Sequence, residues 1–151
     1  GQETYKIEKP FSFDTAFLSL IETDPTDELL TVMGLFKFFF SLETEYNERK
    51  FFRELSCAIG TRSARLSACG IASIVQKMGY LEDGCTVGCD GSLYSKYPNF
   101  PDRLHHSLEA ILGPKGRNIK TRQAEDGSGA GSAVIAAMTK ERKEKGIYKN
   151  L

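Results

Sequence analysis

No stretch of this chain is long and apolar enough to cross a bilayer as a helix. Such a helix needs roughly 18 consecutive apolar residues, and the most apolar run, Leu35 to Phe40, is short and broken by Lys37. Net charge is also missing. Twenty basic and 20 acidic side chains cancel, so no global field points to nucleic acid or to an anionic membrane. The first ten residues carry Glu3, Lys6, Glu8 and Lys9, the wrong composition for a secretory signal. Cysteine is sparse, and Cys57, Cys69, Cys85 and Cys89 form no paired C-x-x-C knuckles. No histidine lies near Cys85 or Cys89, so a zinc site is not expected. Reduced, mostly buried thiols in a cytoplasmic protein are the expectation. The chain begins with Gly1 rather than Met, which reads as a processed chain or a piece of a longer one.

What is present suffices for a core. The chain has 151 residues, 40% of them hydrophobic, which fits one domain or a large part of one. Its most informative stretch runs from Val87 to Pro98. An apolar run ends at Asp90-Gly91 and resumes at Leu93 and Tyr94. Asp-Gly between two β-prone runs predicts a hairpin. Gly88 and Gly91 leave backbone that a flat ligand such as a nucleotide could approach closely. Ser92 adds a hydroxyl and Lys96 a point charge suited to phosphate. An ordinary hairpin with a surface lysine is the plain alternative.

The rest of the chain reads mostly as helix. Residues Gly1 to Pro10 look like a polar lead-in. Asp14 is a good N-cap for a short helix through Ile21, stopped at Asp24-Pro25. Thr26, Asp27 and Glu28 predict the start of a second helix, with Gly34 its end. Leu35 to Phe40 fits a buried strand or a helix end, and periodicity does not decide. From Thr44 to Met78 the pattern is helical. Phe52, Leu55, Ile59, Leu66, Cys69 and Ile74 mostly recur at three- and four-residue steps, and many small residues lie between them, which predicts a central buried helix. Arg62 and Arg65 there read as snorkelling cations. Gly79 is the expected cap. A helix over residues 101–112 follows, capped by Asn99, with Phe100, Leu104, Leu108 and Ile111 on one stripe. Its His105 and His106 are neighbours that point apart, so they do not form a joint metal site. Gly113 to Gly116 is a turn, and Ile119 to Ala124 a weak strand.

The glycine-rich start of the last helix has two readings. Glycines ahead of a helix can cradle phosphate on open N–H groups. The run Gly127 to Gly131, however, lacks the Gly-Lys-Ser/Thr ending of a P-loop, and Glu125 and Asp126 would repel phosphate. Close packing of a small-faced helix against a neighbour is the favoured reading.

Two segments together carry a family resemblance. Gly88 to Phe100 (GCDGSLYSKYPNF) resembles the adenosine-binding stretch of eukaryotic hexokinases and glucokinases. Ala124 to Ala137 (AEDGSGAGSAVIAA) resembles the start of their last helix, most closely in fungal hexokinases. Supporting stretches are Lys9 to Phe17, Ile21 to Pro25 and Arg62 to Ala72, in the family's order. The resemblance implies an α/β fold, the C-terminal part of an actin-like ATPase (ribonuclease H-like) sugar kinase, helix-rich with a few strands. Residues 1–151 would belong to the large domain, and the last helix, about 128–145, would reach towards a small domain. Thr15 and Ser19 would lie near ATP. Asp90, Gly91 and Ser92 would line its adenosine and phosphate side, with Lys96 nearby; animal relatives often carry an apolar residue there.

The same resemblance implies what this segment lacks. The family's Asp-x-Gly-Gly-Thr phosphate loop, its Asn-Asp-Thr sugar loop with the general-base Asp, its Gly-Thr-Gly loop and its sugar-binding glutamates do not occur here. Thr61, in Gly60-Thr61-Arg62, lies inside the long helix and replaces none of them. The expected function is therefore the nucleotide-binding part of an ATP- and Mg²⁺-dependent cytoplasmic hexokinase. The complete enzyme would phosphorylate the 6-hydroxyl of glucose or a similar hexose, with the hexose bound mainly outside this segment. Alone, the chain is expected to be inactive and poorly soluble. A non-catalytic nucleotide- or protein-binding module and a purely helical scaffold are the alternatives.

Overall fold

The computed structural model describes residues 6–146, so residues 1–5 of the expected lead-in lie outside it. A 3-10 turn, Lys6–Glu8, precedes helices α1 (Thr15–Glu22), α2 (Leu30–Phe40) and α3 (Tyr46–Met78). Then come strand β1 (Cys85–Cys89), the short helix α4 (Ser92–Lys96) and helix α5 (Phe100–Leu112). A 3-10 segment, Gly113–Asn118, leads into strand β2 (Ile119–Gln123) and the last helix α6 (Gly127–Glu144). The architecture is helix-rich α/β, as expected.

Asp14 caps α1 with a side-chain oxygen 2.8 Å from the Ala16 amide. The start of α2 is later than expected. Asp24 accepts from the Thr26 amide (3.0 Å), the Thr26 hydroxyl (2.6 Å) and the Val32 amide (2.9 Å). These bonds hold Asp27 and Glu28 in a loop, and α2 begins only at Leu30. Nor does Gly34 end α2, which continues to Phe40. Tertiary burial explains the continuation, because Leu35, Phe36 and Phe40 enter a core with Ile21, Leu29 and Val32. Phe13 stacks on Phe40 at 5.6 Å and Phe36 meets Phe52 at 4.5 Å. Such contacts outweigh the roughly 1 kcal/mol cost of a helical glycine.

Helix α3 has 33 residues, about 50 Å at the α-helical rise. Gly79 caps it in the left-handed conformation. Its buried stripe is not the one the apolar periodicity predicts. Ser56, Gly60, Ala64, Ala68 and Ala72 are buried, whereas Leu55, Ile59, Leu66 and Ile74 are exposed. Small residues at four-residue steps let α5 approach, and Ala68, Ala72 and Val75 meet Leu104, Leu108 and Ile119 in a second core. Ile111 of the predicted α5 stripe stays exposed.

The expected hairpin at Asp90-Gly91 does not form. Strand β1 pairs in parallel with β2, Cys85 opposite Ile119 and Cys89 opposite Gln123, so α4 and α5 form a crossover between them. Gly91 has φ 116° and ψ 155°, a region open essentially to glycine. There it redirects the chain into α4 instead of folding it back. Helix α6 buries no residue and exposes Val134, Ile135 and Met138, so the expected packing partner is not among the described residues. The thiols are less buried than expected: Cys69 is exposed and the others half-buried.

Candidate functional site

A cleft of about 650 Å³ opens between α1 and α4. One wall is the start of α1, with Asp14, Thr15, Ala16, Ser19 and Leu20. The other is α4 and the residue after it, with Ser92, Leu93, Lys96 and Tyr97. The volume lies in the range of small-ligand sites. Apolar side chains, the aliphatic hydroxyls of Thr15, Ser19 and Ser92, the Asp14 carboxylate and the Lys96 ammonium share its lining with Tyr97.

Four of the six expected residues meet here: Thr15, Ser19, Ser92 and Lys96. The two walls are 72 or more positions apart in sequence, and the β1–α4 turn brings them together. Gly91 sits next to Ser92 at that turn, and no atom would crowd a Cβ there, so backbone is open to an approaching group. Asp90 is not among the lining residues. Its carboxylate accepts from the Ser128 hydroxyl (2.9 Å) and the Ser128 amide (3.1 Å). It thereby caps α6 across the sheet end, and the Ser128 bonds hold its carboxyl below the usual carboxylate value. No lining residue comes from α6.

The sequence does not single out Leu20, Leu93 or Tyr97, because apolar and aromatic positions near a motif look like core. Tyr97 is 7% exposed, and its hydroxyl donates to Glu22 Oε2 at 3.1 Å, with the Ser56 carbonyl at 3.3 Å. Arg103 forms an ion pair with the same Glu22, its Nη1 3.2 Å from Oε2 and its Nη2 on Oε1. Burial, then the charge and hydrogen bond of Glu22, push the Tyr97 phenol up to about 12. The Glu22 hydrogen bond also favours the protonated Arg103 guanidinium. One local signal for this cluster exists: Gly60 interrupts a helix where nothing in the helix requires it. A Cβ there would lie 2.6 Å from Arg103 Nη1 and 2.7 Å from Tyr97 Cε1.

The cleft's donors fit a nucleotide. Leu20 and Leu93 offer apolar surface to a base, the hydroxyls of Thr15, Ser19 and Ser92 offer donors, and Lys96 offers charge. Asp14 is the one lining carboxylate, and the Ala16 amide already binds it. A metal ion fits less well. Among the described residues no three His, Cys, Asp or Glu side chains converge.

Comparison with known proteins agrees with the sequence motifs. The family model described as Hexokinase matches residues 1–138. The chain is similar to Hexokinase-1 of Schizosaccharomyces pombe, 45% identical over 139 residues that cover 91% of this chain and 28% of the relative. It is also similar to Hexokinase-2 of Saccharomyces cerevisiae, 44% identical over 147 residues, 94% of this chain and 30% of the relative. A crystal structure of hexokinase superposes with a TM-score of 0.77 at 31% identity, covering 91% of this chain and 32% of that one. The chain thus spans under a third of the length of these relatives.

Proposed function

The chain belongs to the hexokinase family, and from that premise we propose that it is the nucleotide-facing part of an ATP-dependent hexose 6-phosphotransferase. The complete enzyme moves the γ-phosphoryl of ATP to the 6-hydroxyl of glucose or a similar hexose, the first step of glycolysis in the cytoplasm. The observation that carries this is the cleft itself: Thr15, Ser19, Ser92 and Lys96, expected from motifs in two distant segments, line one cavity.

Each lining group has a task. Leu20 and Leu93 flank the base, and the hydroxyls fix its sugar and phosphates. Lys96 offsets phosphate charge, the usual office of a positioned cation in phosphoryl transfer. Mg²⁺, carried in with ATP, supplies further charge neutralisation in the complete enzyme. The group that takes the proton from the sugar hydroxyl lies outside this chain, as does most of the hexose site. Helix α6 extends from the sheet towards the domain that closes over the substrates.

Lys96→Ala in the complete protein tests this. The ATP KM should rise about tenfold, the effect of losing one charge-assisted contact, with the hexose KM unchanged. An unchanged ATP KM contradicts the assignment of the cleft.

A further inference from the structure

We propose that Glu22, Arg103 and Tyr97 form a positioning unit that sets the separation of the two walls of the cleft, an inference that rests on the nucleotide reading above. Glu22 lies on α1, three residues beyond Ser19 of one wall. Tyr97 directly follows Lys96 of the other, and its ring is itself part of the lining. The Tyr97 hydroxyl reaches across to Glu22 at 3.1 Å. Arg103, on α5, holds both Glu22 oxygens. The two walls are therefore joined behind the cleft by a buried, charged link and not by apolar contact alone.

Its chemistry favours geometry over stability. Glu22 is 9% exposed, and a buried ion pair rarely outperforms apolar packing of the same volume. What it does fix is direction. The guanidinium fork fits a carboxylate in one plane, which leaves Oε2 facing the Tyr97 hydroxyl. Beneath it, α3 offers the Ser56 carbonyl at 3.3 Å and the bare backbone of Gly60. A larger residue at position 60 would collide with both Arg103 and Tyr97, so the floor of the cluster is shaped to it. The ring of Tyr97, and with it the neighbouring Lys96, is held in register with α1.

The test uses the complete protein, a non-hydrolysable ATP analogue and glucose, with binding constants and unfolding midpoints for each variant. Tyr97→Phe keeps the ring and leaves Glu22 paired with Arg103. It is expected to weaken analogue binding about tenfold, the scale of loss from a small misplacement of binding groups, and to leave glucose binding unchanged. Glu22→Gln should act in the same direction, and the double variant should be no worse than the weaker-binding single, because the groups act as one unit. Should Glu22→Gln fail to fold, Tyr97→Phe decides alone. Unchanged analogue binding in Tyr97→Phe, with Lys96→Ala impaired, overturns the positioning role and leaves the nucleotide site standing. Equal losses of analogue and glucose binding, together with a lowered midpoint, make the cluster merely structural and also overturn it. If Lys96→Ala and Ser92→Ala both bind the analogue normally, the nucleotide reading itself fails, and the positioning role falls with it.

Discussion

At Asp24, burial and hydrogen bonding oppose each other. Burial alone would raise its pKa, but bonds from Thr26 and from the amides of Val32 and Thr31 outweigh it and hold the carboxyl below the usual carboxylate value. A depressed carboxyl stabilises the fold above its unfolded value, and the contribution is lost as pH falls through the native value. In Asp24→Asn one acceptor becomes an NH₂ facing a donor, at a cost of about 2 kcal/mol at pH 7. Denaturant midpoints of the complete protein should show that difference shrinking below about pH 4; a difference constant with pH contradicts the assignment. Much at this scale was legible in the sequence. That Thr15, Ser19, Ser92 and Lys96 lie together in one cleft was reachable because motifs name residues whatever lies between them. The Asp90–Ser128 contact was not, because its members are 38 positions apart and an Asp-Gly pair looks the same whether it turns a hairpin or caps a distant helix. The Glu22–Arg103 pair was hidden for the same reason, with its members 81 positions apart.

Among the elements, α3 shows how a correct helix can carry a wrong face. Its limits follow from local chemistry: Glu45 and Glu48 form a capping box at one end and Gly79 closes the other. Its buried side follows from a neighbour. A run of small residues gains more from the close approach of α5 than a stripe of large ones would, and one chain's periodicity does not rank the two. Two of its glycines separate these effects. Gly60→Ala places a methyl against Arg103 and Tyr97 and should destabilise by about 1–3 kcal/mol. Gly70→Ala meets nothing within 4 Å and should stabilise by about 0.4–1 kcal/mol. Urea unfolding of both variants checks this, and equal effects would mean that α5 does not lie close over Gly60. The hairpin failed on the same ground as the helix face. Parallel pairing of β1 with β2 depends on a crossover of two helices, which the turn residues do not encode.

Across the whole molecule, apolar surface is left open. Phe38 is 80% exposed, Ile135 63% and Ile74 60%, on three different helices. Patches of this kind in a soluble protein mark contact sites, and the relatives are more than three times as long as the segment that matches. Expressed alone, residues 1–151 should therefore aggregate or bind hydrophobic dyes and show no hexose phosphorylation. A soluble, cooperatively unfolding monomer would contradict the first expectation, and phosphoryl transfer the second. The α/β class and the family were legible because motif order is kept along the segment that matches the relatives. Open faces were expected in kind, but which residues carry them was not legible, since composition does not say which side of a helix is covered.

The central claim is that the α1–α4 cleft is the nucleotide side of a hexokinase. Hydrogen–deuterium exchange of the complete protein, with and without a non-hydrolysable ATP analogue, tests it most directly. Slowed exchange at residues 14–20 and 91–97 together is the predicted result. Protection confined to other segments, with both walls exchanging as before, would contradict it.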